Sequence, residues 1–261
     1  MLAILKRYRY DCGPTSAVWR GGEDFLTLQV IPLRPTHVLK TGLEHRWQFL
    51  RTYIRRPNAV GAIMPSSRAL AIAVAEPLCR SPRPVRVLEV GAGTGPVTRY
   101  LGTLLTDKDQ FDICELQPEF ADILERDVLS KPPFAKMLAE GRVRLLRKPA
   151  QQIEGENVYD FIISGLPLTA FELDDVKKIF SVYRRLLKPN GVLSYFEYTW
   201  LRQTSRVLAL GKSRTRLRAV NAYLTRNIRE HEFARRAVLN NFPPAHARHL
   251  RFETNGNCNV H

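Results

Sequence analysis

The chain has 261 residues, of which 44% are apolar, with 40 Lys and Arg against 25 Asp and Glu. That length supports one substantial core without staples, and four scattered cysteines with no CxxC pair exclude a disulfide framework or a zinc finger. The formal charge of +15 points to an anionic partner, nucleic acid or an anionic lipid surface, and says nothing about fold.

Met1–Tyr10 is basic but has no apolar run long enough for a signal peptide, and no stretch approaches the ~20 apolar residues of a membrane span. The expectation is therefore a cytoplasmic protein that meets a membrane, if at all, by lying on it. Residues 1–40 have weak periodicity and turn formers such as Gly13-Pro14 and Gly21-Gly22, and read as a poorly determined extension. Residues 41–80 carry two helices, Leu43–Arg56 and Ser66–Leu78. From residue 81 to 255 an α/β alternation follows. Val85–Val90 reads as a buried strand, Pro96–Leu105 as a helix, and Phe111–Leu116 as a strand. Pro118 then opens a helix towards Leu129, and Val143–Arg147 and Phe161–Ser164 are strand candidates. Asp174–Leu187 is an amphipathic helix stopped by Lys188-Pro189-Asn190-Gly191, and Val192–Tyr198 is the next strand. A basic helical insertion at about 201–232 precedes two last strands, Phe233–Asn240 and Ala247–Phe252. Such alternation implies an α/β fold with a mostly parallel sheet covered on both faces, whose ligands sit at the carboxyl ends of the strands.

The segment richest in chemistry is Val87-Leu88-Glu89-Val90-Gly91-Ala92-Gly93-Thr94-Gly95, where a strand ends and a GxGxG turn opens a helix. Glycines there let the backbone turn tightly and approach a ligand. A dinucleotide site fits poorly, because the third glycine comes two residues after the second instead of three. Glu89 would also repel a pyrophosphate. The same carboxylate suits S-adenosylmethionine, which carries a sulfonium and an ammonium against one carboxylate. Glu115 ends the second strand about twenty residues on, where an acid accepts hydrogen bonds from ribose hydroxyls.

This arrangement resembles the class I, Rossmann-like methyltransferases, which implies a seven-stranded sheet. It also gives cofactor roles to Glu89, Gly91, Ala92, Gly93, Thr94, Gly95, Glu115 and Leu116. Where that family often has an acid for the adenine amine, this chain has Arg147-Lys148-Pro149-Ala150-Gln151-Gln152, leaving Ala150 backbone groups or Gln151 for the purpose. Pro65-Ser66-Ser67 precedes a helix. Ser66 either caps it or, with backbone N–H groups, cradles the cofactor carboxylate.

Ser164-Gly165-Leu166-Pro167-Leu168 stands at the strand end that faces the transferable methyl in that superfamily, so the resemblance places Ser164, Gly165 and Leu166 on the cofactor, and the acceptor is read from the character of the whole segment. Enzymes that methylate base amines commonly have an Asn or Asp and an aromatic there, and this chain has neither. The proline and register still resemble the ribosomal adenine dimethylases, so an rRNA adenine N6-methyltransferase is the alternative. Three segments, Phe49–Arg68, Ser164–Leu168 and Leu239–Ala245, resemble bacterial phospholipid N-methyltransferases over roughly residues 43–252. That resemblance implies stepwise N-methylation of phosphatidylethanolamine towards phosphatidylcholine. A neighbouring reading keeps the fold and changes the lipid, for example to ornithine lipid.

In Leu43–Arg56, Leu43, Trp47, Leu50 and Ile54 recur at helical spacing with Tyr53 alongside and Arg46, Arg51, Arg55 and Arg56 interleaved. An ordinary packed helix has the same pattern, but the resemblance favours a peripheral helix on the inner face of the membrane, with Pro167 and Leu168 on the substrate side. The basic residues between Leu201 and Arg236 suit lipid or RNA phosphates equally. The acceptor amine must be neutral to react. Glu197 and Tyr198, ending the strand after Gly191, are candidates to accept its hydrogen bond or to face the cation, and structural roles fit them equally. The histidines show no metal-ligand spacing, so no metal is expected.

Overall fold

A computed structural model describes residues 66–198, 212–241 and 243–252 of the protein. Seven strands make one sheet: β1 (Arg86–Val90), β2 (Gln110–Cys114), β3 (Val143–Leu146), β4 (Tyr159–Ser164), β5 (Leu187–Tyr198), β6 (Glu232–Val238) and β7 (Ala245–Arg251). They lie in the order β3-β2-β1-β4-β5-β7-β6. β1 to β5 pair in parallel, whereas β7 runs antiparallel to both β5 and β6. The chain works outward from β1 to β3, then returns to β4 on β1's other side. That reversal opens a crevice at the carboxyl ends of β1 and β4.

The apolar runs are buried because helices cover both faces. On one face, Val87, Phe111, Ile113, Phe161, Ile163 and Val192 pack on α1 (Arg68–Cys79), α2 (Pro96–Leu101), α3 (Pro118–Leu124) and α4 (Phe134–Ala139). On the other, Leu88, Val90, Ile162, Leu193 and Tyr195 pack on α5 (Leu173–Leu186) and α6 (Lys212–His231). The two-residue alternation of strand side chains accounts for this division. In α5, Val176, Ile179, Phe180, Tyr183 and Leu186 form the buried stripe, with Asp174 and Asp175 in the first turn and Arg184 and Arg185 in the last, matching the helix dipole.

Several expected boundaries move. α2 stops at Leu101 instead of Leu105, and the helix from Pro118 continues as a π-helical turn over Glu125–Leu129. The segment read as a helix-stop turn, Lys188–Gly191, is the irregular start of β5, with Asn190 at φ +65°. α4 was not anticipated. The basic stretch read as an insertion is instead, in its described part, the β5–β6 crossover helix α6. Val220, Leu224 and Asn227 are buried along one side of α6, and Arg216 donates to the Thr169 and Phe171 carbonyls. Residues 1–65, including Leu43–Arg56, and 199–211 lie outside the described residues.

Asp112 anchors the sheet on the α5 face. Its buried carboxylate accepts from Arg144 Nε and Nη2 (2.6 and 2.7 Å), Arg86 Nη2 (3.1 Å) and the Tyr159 hydroxyl (2.7 Å). Burial opposes the charge, but the hydrogen bonds from Arg144 and Tyr159 outweigh it and hold the carboxyl below its usual range. Asp112→Ala is expected to cost about 3 kcal/mol by leaving Arg86 and Tyr159 without their acceptor. Because the folded value is depressed, this contribution is complete above about pH 4 and fades as pH falls through the folded value. Urea unfolding should therefore separate mutant from wild type widely at pH 7 and progressively less as the pH is taken down below about 4.

Candidate active site

Backbone hydrogen bonds stitch the loops at the carboxyl edge together. Gly91 N donates to Cys114 O, Gly165 N to Val90 O (both 2.8 Å), and Glu115 N to Leu146 O (3.1 Å). The β1–α2 loop holds Gly91, Gly93 and Gly95 at φ +75°, +58° and +84°. At Gly93 an added Cβ would meet nothing within 4 Å, so the loop's backbone faces open space there. At Gly91 the same atom would lie 2.6 Å from Leu166 Cδ2, because the β4 loop packs over the β1 loop. Ala92 is buried and Thr94 half-buried within this turn.

Two buried carboxylates flank the loop. Glu89 points to the α2 face and accepts from Thr98 Oγ1 (2.7 Å). Glu115 accepts from Gly93 N (2.8 Å) and Gln117 N (2.9 Å), with half-buried Leu116 beside it. Burial raises both pKa values. Glu89 rises to about 8, Glu115's charge adding to the burial and the Thr98 bond opposing it. For Glu115 the bonds from Gln117 and Gly93 only partly offset burial. Two desolvated acids side by side favour a cationic ligand, which would relieve both.

Gln151, in the 3₁₀ turn begun by buried Ala150, has a buried Oε1 with no hydrogen-bond partner among the described residues. An amine donor fits it. At the start of α1, the N-cap is Ser67 and not Ser66. Ser67 Oγ accepts from Leu70 N, and Ser67 N donates to Asn241 Oδ1 (3.0 Å). The Ser67 hydroxyl and N–H are thus both engaged, while Ser66, one residue before the cap, is half-buried. Asn241, in the β6–β7 turn, also donates to Pro243 O, and so ties that turn to α1.

Two readings of the β4 loop change. The Ser164 hydroxyl turns beneath the sheet and accepts from the Tyr183 hydroxyl (2.8 Å), so its side chain braces β4 against α5. Leu168 is buried in the α5-side core and is not a surface residue. Gly165, Leu166 and Pro167, all half-buried, form the rim. Glu197 and Tyr198 project to opposite faces of β5, so they cannot act on one atom together. Glu197 Oε2 accepts from Arg248 Nε (2.9 Å), and Arg248 Nη1 donates to Glu232 (2.6 Å). Tyr198 packs edge-on to Phe196 with ring centroids 5.4 Å apart. Pro65, Trp47, Leu50, Arg51, Tyr53 and Ile54 lie outside the described residues.

Comparison with known proteins decides what the crevice holds. Residues 87–191 match a family model described as a methyltransferase domain. Over 156 residues, 59% of this chain and 79% of the relative, the chain is 30% identical to the ornithine lipid N-methyltransferase of Singulisphaera acidiphila. The chain belongs to the S-adenosylmethionine-dependent methyltransferases. Two solved methyltransferase structures share its fold. One is the 1,6-didemethyltoxoflavin-N1-methyltransferase of Burkholderia thailandensis with bound S-adenosylhomocysteine (16% identity, TM-score 0.53, 84% of this chain and 94% of that one). The other is a methyltransferase from Leishmania major (16% identity, TM-score 0.56, 80% and 82%).

The methyltransferase site fits its cofactor by its own features. Glu89, on giving up its proton, would set a negative charge against a sulfonium and an ammonium. Gly93 leaves backbone open to close approach. Glu115 would hold the ribose hydroxyls, and the orphaned Gln151 Oε1 suits the adenine amine. Thr98 and Asn241 escaped sequence reading, since neither belongs to a motif and both act through partners that only the fold brings near.

Proposed function

We propose that this methyltransferase N-methylates the primary amine of a membrane lipid at the membrane surface. The observation that carries this reading is the similarity to an ornithine lipid N-methyltransferase along four fifths of that enzyme. The β4 loop supports it. With Ser164 bonded to Tyr183, the rim residues Gly165, Leu166 and Pro167 offer no side-chain amide, carboxylate or aromatic ring to a flat base. Ornithine lipid is accordingly the first acceptor. Phosphatidylethanolamine is the second, favoured by the three segments resembling phospholipid N-methyltransferases.

When bound, S-adenosylmethionine supplies an electrophilic methyl group. The chain's own residues align a neutral amine with it and exclude water, with Leu166 and Pro167 as the apolar wall. No helix among the described residues is long and apolar enough to cross a membrane. α6 exposes Arg214, Arg218, Arg226 and Arg229, charges suited to an anionic surface.

The test incubates purified protein and methyl-labelled cofactor with ornithine-lipid liposomes, phosphatidylethanolamine liposomes and ribosomal RNA. Label is expected in a lipid arm, about tenfold or more above RNA, which is the low end of what even a small difference in fit to a pocket produces. Label in RNA alone overturns the reading.

A further inference from the structure

We infer that the β6–β7 turn is a membrane-inserting tip, with Leu239 as the wedge that enters an anionic lipid surface and sets the acceptor crevice at headgroup height. This rests on the lipid-methylating reading above and adds to it the surface by which the enzyme meets the bilayer.

Leu239 is the most open large apolar side chain among the described residues, 77% exposed against 48% or less for Phe233, Ile72 and Leu138. A lone exposed leucine is ordinary on a protein surface, so its setting decides what it means. The turn, Leu239-Asn240-Asn241-Phe242-Pro243-Pro244, runs six residues without a charge. It is also held in shape from within. Asn241 is buried, and its side chain accepts from Ser67 N (3.0 Å) and donates to Pro243 O (2.7 Å). A turn pinned in this way keeps Leu239 outside, where its apolar surface gains by leaving water.

Strand register gives the height of the tip. Ser164, the last residue of β4, lies level with Tyr195 on β5, Arg248 on β7 and Arg235 on β6. Three residues further towards the carboxyl edge, Tyr198, Ala245 and Val238 form the last row, and the turn closes beyond it. At strand spacing that row stands about 10 Å past the end of β4. Interfacial helices bury their apolar side about 5–10 Å into the boundary between headgroups and acyl chains. A tip inserted to that depth brings the β4 rim, Gly165 to Pro167, to the level of the headgroups, where a lipid amine is found.

The charges match an anionic surface. No acid occurs between Glu232 and Glu253. Arg235 is exposed and level with Ser164, so it meets headgroup phosphates when the tip is inserted. Arg68 is exposed beside Ser67, the residue that Asn241 holds. Arginines alone would serve RNA equally. An aliphatic wedge finds acyl chains in a bilayer and none in RNA, and that favours lipid.

The experiment measures co-sedimentation of wild type and Leu239→Glu with vesicles of phosphatidylethanolamine and phosphatidylglycerol, with melting temperature and cofactor binding as fold controls. Leu239→Glu should bind the vesicles about tenfold or more weaker, the effect of withdrawing one large apolar side chain from lipid. It should bind cofactor as wild type does. It should also methylate a short-chain, monomeric form of the lipid labelled above at the wild-type rate, since no bilayer is entered there. Wild type should bind these vesicles about fivefold or more better than neutral phosphatidylcholine vesicles. Vesicle binding by Leu239→Glu equal to wild type overturns the inference and leaves lipid methylation standing. A wild type retained by ribosomal RNA but not by vesicles overturns it too, as does a dimer that Leu239→Glu dissolves while vesicle binding holds. Equal wild-type binding to charged and neutral vesicles overturns the anionic surface. A wild type that labels neither lipid overturns the reading instead, and sedimentation of the two proteins still decides whether the tip inserts. Should Leu239→Glu not fold, Leu239→Trp takes its place. Its indole emission should move to the blue on adding vesicles, beyond any shift in wild type, and an unmoved emission overturns the inference.

Discussion

Replacing Glu89 with Gln is expected to stabilise the ligand-free protein at pH 8 while weakening S-adenosylmethionine binding by about ten- to a hundredfold. Both effects come from one buried carboxyl. Its folded pKa is raised to about 8, chiefly by burial, from an ordinary value of 4.5. Between those values the folded chain keeps a proton that the unfolded chain gives up, so stability falls as pH climbs from about 4.5 to about 8 and then levels off. Gln carries no charge at any pH and still accepts from Thr98, so the variant escapes that loss. Its advantage should be absent near pH 4 and largest above pH 8. There a gain on the order of 2 kcal/mol would raise the melting temperature by several degrees. Cofactor binding reverses the balance. A sulfonium and an ammonium beside Glu89 favour the carboxylate, so binding expels a proton below pH 8. The wild-type to Glu89→Gln affinity ratio should therefore widen from pH 6 to pH 8, a comparison in which the cofactor's own titration cancels. Calorimetry in two buffers of different ionisation enthalpy counts the proton directly. Equal proton release by both proteins would remove Glu89 from the cofactor's charge balance.

The place of Glu89 beside the glycine loop was legible in the sequence because everything that defines it is local. The strand, the glycines and Glu115 occupy one short stretch, and their spacing carries the chemistry. Ser164 was misread for the opposite reason. Its position at the strand end is local, but its direction is set by Tyr183, nineteen residues away on α5. The Glu197–Arg248 pair depends on the antiparallel register of β5 and β7, which no periodicity in either strand reveals. α6 looked like an insertion because its arginines outnumber the few residues that touch the sheet. Its buried stripe, Val220, Leu224 and Asn227, is too thin to stand out from the charge. α4 follows Pro132-Pro133 and is only six residues long, below the length at which a helical pattern declares itself.

The sharpest test of the crevice compares two glycines that a sequence alone would treat alike. In Gly165→Ala the new Cβ would fall 2.5 Å from Gly91 O. The obstacle is backbone and cannot swing aside, so the β1 and β4 loops must part and the Gly165–Val90 hydrogen bond must stretch. Overpacking of this kind costs about 2 kcal/mol, and the displacement of about 1 Å it imposes costs about a hundredfold in activity. In Gly93→Ala nothing within 4 Å meets the new carbon, and only the left-handed backbone at φ +58° resists it, by about 1 kcal/mol. That protein should fold and melt nearly as wild type does. Its methyl group, however, projects into the space where the cofactor must come close to the backbone, so binding should weaken by about tenfold or more, the price of about 1.4 kcal/mol of lost contact. Melting curves and cofactor calorimetry on the pair should therefore diverge, Gly165→Ala losing stability and Gly93→Ala losing ligand. If Gly93→Ala binds S-adenosylmethionine as wild type does, the open side of the glycine loop is not the ligand side. The cofactor would then have to approach from the Leu166 flank, where Gly91 is already covered.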